Sequence, residues 1–400
     1  MAHAGSSACG RALIVGGSIG GLFAALILRR SGWEAEVFER STGQLAARGA
    51  GIVTHPALIH ALEISGAMPA ASVGVEIDER MIIDCAGAPI RHMRLRQIVT
   101  SWTYLYDILR SALPADCYRS GHSLTGFEQT ALGVSASFSN GESASGDLLI
   151  AADGIGSTVR ALLMPNLSPA YAGYIAWRGL VKESALSADT HRLLADRFTL
   201  NLPPHEEILG YPVAGPDNSL RAGERYYNFV WYRPADSRKL SALLIDREGV
   251  QHATSLPPGA VREETLEKMR RDADRCLAPC FAEVVRAAPH PFIQAIHELE
   301  SPRLVFGRVV LIGDAAFLAR PHVGMGVTKA AGDAVALGDA LAADPDHLDD
   351  SLTRFERARL EYGTKIVERS RHLGQLILDA DAPDSVADEI IRWTAATIDL

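Results

Sequence analysis

Gly16, Gly20 and Gly21 lie in the stretch Val15-Gly16-Gly17-Ser18-Ile19-Gly20-Gly21-Leu22, directly after the apolar run Arg11–Val15. Glycine lets a backbone come close to phosphate oxygens, and the free N–H groups of a helix start bind the anion. Glu39 ends a second apolar run, 23 residues after Gly16. That is close to the roughly 20-residue spacing of an acidic residue that bonds an adenosine ribose. Nearly 300 residues later, Val309-Val310-Leu311-Ile312 runs into Gly313-Asp314. This places a carboxylate beyond another buried strand, where a ribityl or ribose hydroxyl could meet it. A nucleotide pyrophosphate explains the first signal alone. The two together point to FAD, a long cofactor that needs contacts from both ends of the chain.

The elements that position these groups follow from periodicity. Short apolar runs at 11–15, 34–38, 148–152 and 308–312 read as buried parallel strands. Leu22–Leu28 reads as a helix packed on them, followed by a helix over Pro56–Ser65 and another over Tyr104–Leu113. Residues 100–165 read as a return to the same sheet, through short strands near Gly121–Phe127 and Val134–Phe138 with an Asn140-Gly141 hairpin turn. Residues 170–295 differ. Tyr171–Val181, Arg197–Leu202, Glu207–Val213 and Tyr226–Tyr232 read as a largely antiparallel sheet, with helices near 262–287. Beyond 295 the spacing predicts helices at about 325–342 and His347–Leu378. The boundaries are therefore 1–75, 100–168 and 296–400 for a cofactor domain, and 76–99 with 169–295 for a substrate domain.

Four hundred residues are enough for two domains. The chain is 48% hydrophobic and 22% charged, and its net charge of −9 argues against a nucleic-acid surface. No apolar stretch reaches the roughly 18–20 residues that span a bilayer, and no signal peptide is expected. Five scattered cysteines, Cys9, Cys85, Cys117, Cys276 and Cys280, suit reduced thiols in a cytoplasm. No histidine–cysteine cluster suggests a metal site.

Three groups of residues carry a resemblance. The first is Gly16 to Gly21 with Glu39, the second Asp153-Gly154 with Ser157 and Arg160, the third Gly313-Asp314 with Pro321, Gly324 and Gly326. In this order they resemble the single-component FAD-dependent aromatic hydroxylases of the para-hydroxybenzoate hydroxylase type, over nearly the whole chain. The segments Ala172–Gly179, Asn228–Tyr232 and Arg320-Pro321-His322 are similar to a hydroxypyridine-oxidising subgroup. Two departures from the wider family fit that subgroup: Ser18 in place of the second motif glycine, and Phe317 where most members carry a histidine.

The resemblance implies an α/β fold, with an FAD-binding Rossmann-like domain of the glutathione-reductase type, an inserted, mainly antiparallel β-sheet substrate domain and C-terminal helices. It implies an FAD-dependent monooxygenase that consumes NADH or NADPH and dioxygen. Through a flavin hydroperoxide it would hydroxylate an electron-rich hydroxylated (N-hetero)aromatic ring such as 2,6-dihydroxypyridine. The alternative is hydroxylation or epoxidation of a larger aromatic or alkene substrate in biosynthesis. A homodimer is implied on the same ground.

The candidate cofactor contacts are Gly16, Ser18, Ile19, Gly21, Glu39, Arg40, Arg48, Arg110, Asp153, Gly154, Gly313, Asp314, Pro321, Gly324, Gly326 and Val327. Arg48 and Arg110 read as flavin contacts, with solvated surface charge as the alternative. Gly324 and Gly326 would let a flat ring lie against backbone, and the following helix start would favour negative charge on it. The catalytic candidates are Tyr211, His322 and Arg178. A base near the substrate hydroxyl raises ring reactivity, and Tyr211 or His322 would serve. Ordinary sheet packing remains open for Tyr211, and a backbone-bonded loop histidine for His322. Arg178 reads either as an oxyanion anchor or as half of a structural salt bridge. Phe317 can neither donate nor accept a proton.

Overall fold

The computed structural model describes residues 9–43, 45, 51–379 and 386–392. Apolar runs flanked by glycine turns form a six-stranded sheet, in the order 305–306, 309–311, 148–151, 11–15, 34–39, 118–120. All of its pairings are parallel except that of the edge strand Val305–Phe306. Strand Arg11–Val15 is central, between Leu148–Ala151 and Glu34–Glu39. Its residues Ala12, Leu13 and Ile14 are fully buried, as expected of a strand covered on both faces. Helix Ile19–Arg30 packs against the later helix Gly326–Ala343, where Gly20 faces Ala330 and Gly338 faces Ile27. The turns after Val15, Glu39, Ala151 and Leu311 therefore open at one edge, the carboxyl ends of parallel strands, where ligands of such sheets bind.

A ten-stranded, mainly antiparallel sheet forms the second layer system. Its strands include Val75–Ile83, Pro89–Ser101, Ala170–Lys182, Phe198–Asn201, Glu207–Val213, Tyr226–Pro234 and Phe292–Glu300. Strand alternation divides its side chains. Ile175, Trp177, Val181, Tyr227, Phe229 and Trp231 pack against Met269, Ala273, Phe281 and Val285 of helices Glu263–Cys276 and Pro279–Ala287. The intervening residues, including Tyr174, Arg178, Asn228, Val230 and Tyr232, point to the opposite face.

Two expectations change. Residues 124–146 do not return to the parallel sheet: Leu124–Gln129, Val134–Phe138 and Ser143–Gly146 form a separate three-stranded antiparallel sheet, and only Tyr118–Ser120 and Leu148–Ala151 join the first one. The half-polar alternation of these short strands suits a sheet with one solvated face, not a doubly covered one. Strand Gly51–Val53 pairs antiparallel with Pro89–Ser101 in the large sheet, so the 1–75 segment contributes to both.

The long helix Leu348–Asp379 closes the fold, and its Gly363 lies against the Phe317 ring. A Cβ at Gly363 would lie 2.4 Å from a ring carbon. We expect Gly363→Ala to lower the unfolding midpoint. Overpacking costs about 1–3 kcal/mol, and the gain in helix propensity of about 1 kcal/mol only partly offsets it. An unchanged or raised midpoint in denaturant would show that the helix moves away freely.

Candidate active site

The dinucleotide end is built on two backbone constraints. Gly16 has φ +109°, and a Cβ there would sit 2.3 Å from the Ala152 carbonyl oxygen. Glu39, buried at its strand end, accepts hydrogen bonds from the Gly17 N–H (2.8 Å) and the Ser41 N–H (2.9 Å). Ser18 precedes the helix in extended conformation, and its hydroxyl makes no capping bond. Ile19 and Gly21 are buried in the first turn. Tyr118 donates from its hydroxyl to the Gly17 carbonyl (3.1 Å), and the Arg110 guanidinium stacks on the Tyr118 ring at 4.4 Å. Arg110 thus braces the loop from behind and does not line the cavity described below. Arg40 is exposed. Arg48 lies outside the described residues.

The middle and late motifs are tied together by Arg160. Its guanidinium donates to the carbonyls of Ile155, Asp314 and Ala315, while the Ser157 hydroxyl caps its helix by accepting from the Arg160 N–H. Asp153 holds the same turn, accepting from the Val159 N–H at 3.2 Å, and its other carboxylate oxygen is buried without a partner. Gly154 carries φ +75°. The Gly313 N–H is taken by the Asp333 carboxylate at 2.8 Å, which fixes the turn that presents Asp314. The Asp314 side chain makes no hydrogen bond within the protein and lines the cavity. Burial pushes its carboxyl above the usual range, and the nearby Lys329 and Arg160 charges counter this. Pro321 starts a short 3-10 turn, Gly324 ends it at φ +64°, and Gly326 and Val327 open helix Gly326–Ala343 toward the same space.

That space is a cavity of about 860 Å³ between the loop at 318–327 and the free face of the large sheet. Arg178 and Tyr211 of the sheet and His322 of the loop all line it. Tyr211 stacks on Phe198 at 5.1 Å, and burial raises its hydroxyl to about 12, with Arg178 and then Arg80 opposing. His322 is not bonded to loop backbone. Its Nδ1 lies 2.9 Å from Glu207 Oε2 and its Nε2 2.8 Å from the Tyr174 hydroxyl, with the Tyr232 ring 4.5 Å away. Arg178 has no carboxylate partner and donates to Gln294 Oε1 at 2.8 Å. Sequence reasoning missed Arg80, Tyr174, Glu207, Tyr232 and Gln294. Strand alternation could have found Tyr174 from Arg178 and Glu207 from Tyr211, which share a strand and a face; Arg80, Tyr232 and Gln294 lie on strands that carry no candidate.

These features fit FAD. The glycine turn runs tightly against Ala152 into a helix start, and an uncapped Ser18 hydroxyl stands in it. An unpartnered Asp314 carboxylate lies at the far end, with a helix start beyond it. We expect Glu39→Ala to weaken FAD binding by about tenfold or more, because two N–H groups lose their acceptor and the loop loses its brace. Titrating deflavinated protein with FAD by fluorescence measures this, and wild-type affinity would remove Glu39 from the site.

Comparison with known proteins places these observations. Residues 171–298 match an "FAD binding domain-like" family model, and residues 291–370 match an "FAD binding domain" model. The chain is 32% identical to 2,6-dihydroxypyridine 3-monooxygenase of Paenarthrobacter nicotinovorans, over 91% of this chain and 92% of that one. It is 29% identical to 3-amino-4-hydroxybenzoate 2-monooxygenase of Streptomyces cremeus, over 96% and 92%. The solved structure of 2,6-dihydroxypyridine-3-hydroxylase from Arthrobacter nicotinovorans superposes with a TM-score of 0.88 at 30% identity, covering 94% of this chain and 95% of that one. The chain belongs to the FAD-dependent aromatic hydroxylases and is an FAD-dependent aromatic-ring monooxygenase.

Proposed function

We propose that the enzyme hydroxylates a small, electron-rich, hydroxylated N-heteroaromatic ring such as 2,6-dihydroxypyridine, with NADH or NADPH as reductant. The observation that carries this is the shared cavity, in which the loop at 321–327, with His322, faces a sheet wall bearing Arg178, Tyr211 and Tyr232. Its volume suits the flat end of the cofactor with one small ring beside it, in line with the roughly 300–1,000 Å³ of small-ligand sites.

Gly16, Ser18, Ile19 and Gly21 would hold the pyrophosphate, Glu39 the adenosine ribose, Asp314 the ribityl chain, and Pro321 to Val327 the ring system. Bound there, FAD supplies electron transfer from the nicotinamide and the activation of dioxygen. The protein's own residues orient the substrate and handle a proton. Arg178 donates to a ring oxygen, and Tyr211 donates beside it. Glu207 holds His322 Nδ1–H, which leaves Nε2 as the basic nitrogen. Neutral His322 accepts the Tyr174 O–H at Nε2, while protonated His322 donates from Nε2 to the Tyr174 oxygen. The same heavy-atom positions therefore accommodate both states, as a proton-accepting site requires. Tyr174 is fully buried, with the Arg320 guanidinium over its ring and Arg320 paired to Glu298.

A cytoplasmic homodimer belongs to the same proposal. It rests on the family resemblance and on the five cysteines, all of which stand free. Among the described residues no helix is long and apolar enough to cross a membrane.

The test is NADH and NADPH oxidation by the FAD-loaded enzyme, with and without 2,6-dihydroxypyridine, under labelled dioxygen. We expect strong stimulation and a product that carries one labelled oxygen. Stimulation that yields only peroxide would replace this ring with a related one. No stimulation by any small hydroxylated ring would overturn the substrate class.

A further inference from the structure

Lys329 is the one lysine that the fold buries among the described residues. It sits in the first turn of helix Gly326–Ala343, 1% exposed, and its Nζ is enclosed with no hydrogen-bond partner. Asp333 Oδ2 stands 3.8 Å from that nitrogen, beyond hydrogen-bond reach. Nor does Asp333 need the lysine: its Oδ2 accepts from the Gly313 N–H at 2.8 Å and its Oδ1 from Arg359 Nε at 2.6 Å. Other buried cations have close partners. Arg225 meets Glu183 and Asp196 at 2.8 and 2.9 Å, and Arg320 meets Glu298 at 2.7 Å. A buried ammonium without hydrogen bonds has lost its hydration without replacement, so its place in the fold calls for another reason.

The neighbouring turn, Gly313–Ala315, holds a carboxylate in the complementary condition. Asp314 makes no hydrogen bond within the protein and lines the cavity. The charged groups around this turn are few. Arg160 comes from helix Thr158–Leu163, with Asp153 facing it from the preceding turn, and its guanidinium is engaged by the carbonyls of Ile155, Asp314 and Ala315. Lys329 and Asp333 come from helix Gly326–Ala343, and Arg359 from helix Leu348–Asp379, where it pairs with Asp333. Burial pushes the Asp314 carboxyl up. Lys329 is the leading charge against that rise, ahead of Arg160, and Asp333 adds to it. Lys329 is therefore the cation at this turn that no other group has engaged.

We propose that Lys329 is a positioning residue for the cofactor: from behind the Gly313-Asp314 turn, its ammonium keeps Asp314 a carboxylate, ready to accept hydrogen bonds from the ribityl hydroxyls of FAD. This rests on the assignment of Asp314 to the ribityl chain given above. A carboxylate in the cavity is hydrated, and FAD strips that water away when it covers the side chain. Desolvation then favours the protonated form, which accepts a hydroxyl less strongly than a charged group does. A fixed positive charge behind the turn opposes that protonation without touching the ligand. The distance suits the role: an ammonium bonded directly to Asp314 would compete with the hydroxyls for the same oxygens.

The test is the affinity of the deflavinated full chain for FAD, read by fluorescence between about pH 6 and about pH 9. We expect the unmodified protein to bind almost evenly across that range. Lys329→Met keeps the length of the side chain and removes its charge. Its Asp314 holds a proton to higher pH, so FAD should bind about tenfold more weakly at neutral pH, or roughly 1.4 kcal/mol, and recover as pH rises. Asp314→Asn should weaken FAD by itself, and adding Lys329→Met to it should change the affinity by less than about twofold, because the lysine acts through that carboxylate. A loss in Lys329→Met that ignores pH, or that persists in the Asp314→Asn background, makes the lysine a structural part of the helix and overturns the proposal. So does wild-type affinity in Lys329→Met when Asp314→Asn is weakened. Wild-type affinity in Asp314→Asn overturns the ribityl assignment, and this role with it. The unmodified protein gives a result that needs no lysine variant: a loss of affinity on acidification that Asp314→Asn abolishes would show that Asp314 is not held ionised, and would also overturn the proposal.

Discussion

Gly16→Val yields a protein that folds but does not retain FAD. The valine Cβ would fall 2.3 Å from the Ala152 carbonyl oxygen, 2.6 Å from its carbon and 2.9 Å from the Asp153 nitrogen. All three are backbone atoms at the end of a central strand, so no side chain can turn aside. At φ +109° a β-branched residue is strained even where space exists. That strain alone costs about 1–3 kcal/mol, and relieving the overlap means moving the turn off the Asp153 motif. The six-stranded sheet keeps its core of Leu13, Ile14, Leu149 and Val310, so the damage falls on the loop. We expect FAD affinity to drop by about 100-fold or more, seen as loss of the yellow chromophore from protein with a wild-type far-UV CD spectrum. Gly17→Ser provides the contrast. Its Cβ would meet the Tyr118 side chain and the Glu39 Cβ, and the tyrosine can shift, so a smaller loss is expected. Wild-type flavin content in Gly16→Val would mean that the turn is not a phosphate cradle.

The cofactor end was the legible part of this chain, because its chemistry is local. A glycine turn, the next helix and an acidic residue 23 positions on fall within one βαβ unit, and each has a mechanism that depends on residue type. The late Gly313-Asp314 signal was equally local. The role of Arg160 was not legible: it bridges turns that are 154 residues apart, and nothing in its own neighbourhood reveals the carbonyls it will meet. The separate sheet at 124–146 was misassigned because short strands with turn signals announce their pairing partners only weakly.

The substrate wall was half legible. Arg178, Tyr211 and His322 stood out by type and segment, but their partners come from strands far apart in sequence. Tyr174 lies 148 residues and Glu207 lies 115 residues from His322. Arg80 sits in a strand whose burial pattern starts as alternation and then turns fully buried, so sequence alone presents it as a surface arginine. That it is buried and lines the cavity shows only once the strands are placed beside one another.

His322→Gln should retain FAD and lose about 10²–10⁴-fold in kcat, with the loss confined to substrates whose ring hydroxyl is still protonated. Glutamine keeps a donor for Glu207 and a polar group near Tyr174, which avoids the 3–5 kcal/mol or so that breaking a buried pair can cost. Glu207→Gln tests the other half. It removes the carboxylate that orients His322 through Nδ1, so kcat should fall less than in His322→Gln. A merely structural role predicts something else: a rise in KM and an even loss across substrates. Ring acidity gives the sharper comparison. A ring already ionised in solution needs no base, and His322→Gln should turn it over nearly as fast as the unmodified enzyme does. A ring with a less acidic hydroxyl must surrender its proton inside the cavity, and there the Glu207–His322–Tyr174 network is the acceptor within reach. A rate loss that ignores ring acidity would take His322 out of proton handling and leave it as a brace between the loop and the sheet.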